Sequence, residues 1–174
     1  SDGATLPIYY ENRKSDLSVD NGESIDTVFN RIFKDKDDET KAKIKQQYAN
    51  PTAIAESPHR IKQIAINIID DYENRIKKNG YKAMIVAPSR KAAILYKETL
   101  SDMGVEDCKI IMSESPIDKE FGWDKYWLTA SDRENTAEKF KKPLEDEPLS
   151  ILIVVDMLLT GFDAPILQVM YLDQ

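Results

Sequence analysis

Cysteine and histidine are almost absent from this sequence: Cys108 and His59 are the single examples of each among 174 residues. One cysteine cannot form an intrachain disulfide, and a cysteine-based metal site is disfavoured for want of ligands. This usage favours the cytoplasm. With one histidine, Ser-His-Asp hydrolysis would depend on His59 as its base. No apolar run approaches the roughly 20 residues that span a bilayer. The opening SDGATLPIYYENRK lacks the apolar core of a secretory signal, so neither leader nor membrane partner is expected. A basic excess is missing too, since 24 Lys and Arg stand against 31 Asp and Glu, for a net charge of −7. A protein that grips DNA by charge alone is normally basic. Any contact with nucleic acid would therefore use a local patch, or amides and hydroxyls. Finally, neither a G-x-x-x-x-G-K-[ST] loop nor a G-x-G-x-x-G loop occurs, which disfavours a self-sufficient nucleotide hydrolase.

What is present is a rhythm of short apolar runs and longer amphipathic ones. Hydrophobic residues make up 41% of the chain, enough for one sizeable core. Thr5 to Tyr10 looks extended, with Pro7 favouring an edge strand or connector. Ile25 to Phe33 reads as a short helix capped by Ser24, and a second helical segment ends near Asn50-Pro51. The acidic run Asp35 to Glu39 reads as a solvated helix entrance favoured by the dipole, and not as a metal site. Ser57-Pro58 opens the clearest helix, with Ile61, Ile64, Ala65, Ile68, Ile69, Tyr72 and Ile76 on one stripe and Gly80 as the stop.

From there the pattern alternates. Ala83–Ala87 reads as a strand buried on both faces, Arg90–Met103 as a helix stopped by Gly104, and Cys108–Met112 as a second strand, forming a βαβ unit. A helix over Ser131–Lys142, a strand over Ile151–Val155 and another over Val169–Leu172 follow. Such alternation predicts an α/β fold with a mainly parallel sheet covered by helices on both sides. Phe121, Trp123, Tyr126 and Trp127 crowd an aperiodic stretch between Met112 and Ser131. They would either pin an excursion to the domain or stack on bases, and without a basic run the first reading is preferred.

Ligands of open α/β sheets bind beyond the carboxyl ends of the strands. Two such ends carry chemistry here. Pro88-Ser89-Arg90-Lys91 sets a hydroxyl and two cations at a helix start, suited to a phosphate or equally to an ordinary cap. The loop from Asp156 to Pro165 offers the Thr160 hydroxyl, the permissive Gly161 and the Asp163 carboxylate. As chemistry it is ambiguous between a site and a turn.

The block running from Phe140-Lys141 through Pro148-Leu149 to ILIVVDMLLTGFDAPILQVMYLD resembles the second motor lobe of type I restriction enzyme R subunits. DGATLPIYYE at residues 2–11 and AMIVAPSRKAAILYKETL at residues 83–100 resemble the connector into that lobe and its motif IV region. The resemblance implies a RecA-like, three-layer α/β/α lobe over residues 57–174, with a connector and helical N-terminal region over 1–56. It also implies an ATP-driven, double-stranded DNA translocase of helicase superfamily 2, coupled in the whole subunit to DNA cleavage. By motif match, Gly161 and Asp163 would face the nucleotide, while Ser89, Arg90 and Thr160 would lie towards the DNA backbone. ATP and Mg2+ would be held together with the first lobe of the same chain. Further implied partners are the nuclease domain, the specificity and methyltransferase subunits, and duplex DNA. No catalytic or metal-ligating residue is expected in this segment, which should be inactive alone. Another superfamily 2 helicase or remodeller, or a non-catalytic flavodoxin-like binding or interaction module, are the competing readings.

Overall fold

A computed structural model describes residues 9–11, 31, 34–41, 51–155 and 162–173. The expected helix over Ile25–Phe33 and its Ser24 cap lie outside these residues except for Arg31. Most of the Thr5–Tyr10 stretch and most of the helical segment before Pro51 lie outside as well. The chain forms two compact units, Ser1–Lys36 and Asp37–Gln174. In the first, Tyr9 and Tyr10 are exposed and carry no regular structure. The second holds all the elements below.

The short helical stretch 38–41 begins within the acidic run. Asp37 caps it, accepting from the Thr40 backbone N–H at 2.8 Å and from the Thr40 hydroxyl at 2.7 Å. These bonds hold the Asp37 carboxyl below its ordinary pKa. The run is thus a helix entrance, and among the described residues no cluster of acidic, histidine or cysteine side chains could hold a metal.

Helix α1 covers Pro51–Ala55 and α2 covers Pro58–Asp71. Pro58 opens α2 as expected, where its missing N–H costs nothing. Ser57 occupies the cap position, but its hydroxyl makes no capping bond. The apolar stripe does not end with the α-helix. It continues through a π-helical turn at Tyr72–Ile76 and a 3-10 turn at Lys77–Asn79. Both Tyr72 and Ile76 stay buried there. Gly80 ends the run at φ 80°, in the left-handed region that only glycine enters without strain.

Strand β1 is Lys82–Val86, followed by helix α3, Arg90–Asp102, and strand β2, Cys108–Ile111. Helix α4 spans Ala130–Phe140, strand β3 Ile151–Val154 and strand β4 Leu167–Leu172. All pairings are parallel, in the order β2-β3-β1-β4. The β1-α3-β2 unit of the sequence reading therefore has its strands one place apart, with β3 inserted between them. Ala83 to Val86 register with Ile151 to Val154, which in turn register with Cys108 to Ile111.

Because strand side chains alternate, the sheet has two apolar faces. Ala83, Ile85, Ala87, Cys108, Ile110, Ile151 and Ile153 join α2 and α3 in one core. Met84, Val86, Ile111, Leu152 and Val154 face the other way, against Phe140 of α4, Leu149 and Ala164. Helices on both faces of a parallel sheet give three layers. Along β4, Met170 and Leu172 are exposed while Val169 and Tyr171 pack inward. Lys82 is fully buried at the start of β1 and donates to the Glu147 carbonyl at 3.1 Å beneath the Phe140 ring. Desolvation pushes its pKa down.

Candidate functional site

The polar groups of interest gather where β1, β2 and β4 end. After Val86 the chain passes through Ala87 and Pro88 to Ser89, the N-cap of α3. The Ser89 Oγ accepts from the Ala92 backbone N–H at 3.1 Å. The hydroxyl thus acts as an ordinary cap. The same hydroxyl donates to Glu56 Oε1 at 2.7 Å, and Lys91 Nζ lies 3.4 Å from Glu56 Oε2. A carboxylate from the α1–α2 corner is thus already seated at this helix start.

Arg90 turns the other way. Its guanidinium forks onto both oxygens of Asp118, donating from Nε to Oδ1 at 2.9 Å and from Nη2 to Oδ2. Nη2 also reaches the Ser113 carbonyl at 2.5 Å, and Nη1 is 3.4 Å from Ser113 Oγ. Asp118 is fully buried and accepts a third side-chain bond from Trp127 Nε1 at 2.7 Å. With Arg90 first and Trp127 next in favouring the charged form, the Asp118 carboxyl is held below the usual carboxylate range. Bidentate pairing of this kind fixes direction as well as distance. It ties the loop after β1 to the loop after β2.

That knot also explains the aromatic excursion. Trp123, Tyr126 and Trp127 are partly buried against the α2–α3 core, and Tyr126 OH donates to Glu98 at 3.2 Å. Phe121 stays exposed and stacks on Trp123 with ring centroids 4.7 Å apart. The preferred reading, aromatics that pin the excursion to the domain, describes three of the four. Beside the knot a shallow cavity of about 280 Å3 is lined by Glu114, Ser115, Pro116, Lys119 and Trp127. Neither Ser89 nor Asp163 lines it.

A third cluster ends β4. Asp173 is buried and receives both Nη atoms of Arg60 from α2, Nη1 at 3.0 Å and Nη2 at 2.5 Å. Tyr96 OH of α3 donates to the same carboxylate at 2.8 Å, and the Asp173 N–H donates to the Val86 carbonyl of β1 at 3.0 Å. Burial, with the neighbouring carboxylate second, drives the Tyr96 phenol far above its normal pKa. The Arg60 guanidinium is shifted up by its bond to Asp173.

Of the residues singled out by sequence, Ser89 and Arg90 are neighbours in this polar rim. Asp163 is exposed in the connection from β3 to β4, between Phe162, which packs near Phe140, and the buried Ala164. Thr160 and Gly161 lie outside the described residues. Glu56, Arg60, Asp118 and Asp173 were not anticipated. Their partners Ser89, Asp173 and Arg90 stand 28 to 113 positions away in the sequence, and no local pattern announces such pairs.

A parallel four-stranded sheet with helices on both faces, its polar groups gathered where strands end, defines a RecA-like α/β lobe. The model of type I restriction enzyme subunit R domain 3 matches residues 113–174. The MjaIXP type I restriction enzyme endonuclease subunit of Methanocaldococcus jannaschii is 36% identical over 172 residues, which is 97% of this chain. The HindI endonuclease subunit of Haemophilus influenzae is 29% identical over 99% of the chain, and the MjaVIIIP subunit of M. jannaschii 32% over 99%. The chain belongs to the type I restriction enzyme R subunit family. It spans 16% to 19% of the length of these relatives. No helix among the described residues is long and apolar enough to cross a membrane.

Proposed function

We propose that this chain forms the second RecA-like lobe of the ATP-driven motor that moves double-stranded DNA in a type I restriction enzyme. The reading is carried by one observation: similarity to endonuclease subunits runs through a lobe whose conspicuous polar residues border strand ends. In this reading Gly161 and Asp163 face ATP held with Mg2+ mainly by the first lobe. Ser89, Arg90 and Thr160 lie towards the DNA backbone. DNA cleavage belongs to a separate nuclease domain of the same subunit, and site recognition and methylation to partner subunits. The acidic net charge fits a lobe that meets DNA through hydroxyls and amides. Arg90 serves chiefly by bracing its loop, since Nε and Nη2 are engaged by Asp118 and the Ser113 carbonyl and Nη1 lies 3.4 Å from the Ser113 hydroxyl.

Phosphoryl transfer depends on positioning and charge stabilisation by both lobes. The isolated chain is accordingly expected to hydrolyse no ATP. In the intact subunit, Asp163→Ala should lower DNA-stimulated ATP hydrolysis on the order of 10²-fold, the scale of a small misplacement at a reacting centre. Hydrolysis that survives this substitution would remove Asp163 from the nucleotide site.

A further inference from the structure

Two of the polar clusters are not independent. Arg60, which forks onto Asp173 at the end of β4, also donates from Nη1 to the Ala55 carbonyl at 3.3 Å. The next residue is Glu56, whose carboxylate receives the Ser89 hydroxyl and faces Lys91. A continuous polar chain therefore runs from the end of β4 through Asp173, Arg60 and the α1–α2 corner to the start of α3. Tyr96 and the Val86 carbonyl fasten the Asp173 end to α3 and β1.

The chemistry is more specific than stability requires. A buried ion pair contributes little net stability compared with apolar side chains of similar volume, because both charges must be desolvated. What a forked Arg–carboxylate pair supplies is direction. Here the Arg60 and Asp173 side chains are only 11% and 5% exposed, and the pair sits at the carboxyl edge of the sheet, where ligands of such folds bind. We infer that Arg60 is a positioning residue that makes the end of β4 and the Ser89 loop move as one body, so that ATP turnover and DNA displacement stay in step. This rests on the motor reading above. Without the fork, Tyr96 and Val86 still hold Asp173, but the α1–α2 corner that braces Ser89 through Glu56 is released from β4, and ATP would be hydrolysed with less movement of DNA.

The test uses the intact endonuclease subunit assembled with its partner subunits. ATP hydrolysis is measured with and without linear duplex DNA, and translocation by displacement of a triplex strand from that DNA. Arg60→Lys keeps the charge but loses the fork. It should leave hydrolysis within about twofold of wild type while raising the ATP consumed per displaced strand by about threefold or more, within the range by which residues between two sites alter coupling. Glu56→Ala, which removes the acceptor of the Ser89 hydroxyl at the less buried end of the chain, should shift the ratio in the same direction and decides the matter if Arg60→Lys does not fold. A parallel fall of hydrolysis and displacement would mark a merely structural pair and overturn the inference, as would an unchanged ratio in folded variants. If the wild-type enzyme shows no DNA-stimulated hydrolysis, the motor reading itself fails and takes the inference with it.

Discussion

Replacing Asp118 by alanine tests how the aromatic excursion is held. The substitution strips Arg90 of its forked partner and leaves Trp127 Nε1 without an acceptor. Breaking a buried ion pair costs about 3–5 kcal/mol when the remaining charge stays dry. The Arg90 side chain is 22% exposed and can partly rehydrate, which places its share at the lower end. An unsatisfied indole N–H adds about 1 kcal/mol. The sum is about 4 kcal/mol, a urea midpoint lowered by about 2 M for a slope near 2 kcal/mol/M. Trp123 and Trp127 are the only tryptophans, and both lie in the excursion, so fluorescence reports it while far-ultraviolet circular dichroism reports the sheet and helices. For Asp118→Ala the fluorescence transition should precede the dichroism transition. Removing the charge as well, in Arg90→Met with Asp118→Ala, should restore part of the loss, because no buried cation is left unpaired. An Asp118→Ala cost below about 1 kcal/mol, or a double variant no more stable than Asp118→Ala alone, would refute the reasoning. The pH dependence has a defined sign. The folded-state pKa of Asp118 is depressed below 3.8, so its contribution is complete above that value and is lost as pH falls through the lower, folded value.

Two further outcomes follow from the same geometry. Burial raises the Tyr72 phenol from 10 to about 12, and a raised folded pKa gives stability that is complete below pH 10 and lost as pH climbs towards 12. At most about 3 kcal/mol is involved, and alkaline unfolding followed by circular dichroism should begin at higher pH in Tyr72→Phe; an unchanged onset would remove Tyr72 from the cause. Gly80→Ala should lower stability by about 1–2 kcal/mol in chemical denaturation, since alanine resists φ 80° even though a Cβ there meets no neighbour; a neutral result would mean that the turn relaxes.

Much of this architecture could be read from the chain, and the reasons are local. Continuous apolar runs such as Ala83–Ala87 and Ile151–Val155 mark strands that need burial on both faces, and they fall within a residue of β1 and β3. Pro58, Gly80 and Gly104 bounded their elements through backbone preferences that act without any partner. Strand order was not legible, because it is decided by which faces meet across long crossovers; nothing near β1 announces that β3 pairs with it ahead of β2. The site divided in the same way. Ser89 was visible as a cap because its partner, Ala92, is three residues away. Asp118 stood among aromatics with no sign of Arg90, and Lys82 showed no sign of its place beneath Phe140.

The central claim, that this lobe belongs to a motor driven by ATP along duplex DNA, is tested most directly by the time at which an intact enzyme displaces a triplex strand. With the strand set at increasing distances from the recognition site, the lag before displacement should lengthen in proportion to distance. It should require ATP and be abolished by Asp163→Ala. Displacement without ATP, or a lag independent of distance, would contradict the account.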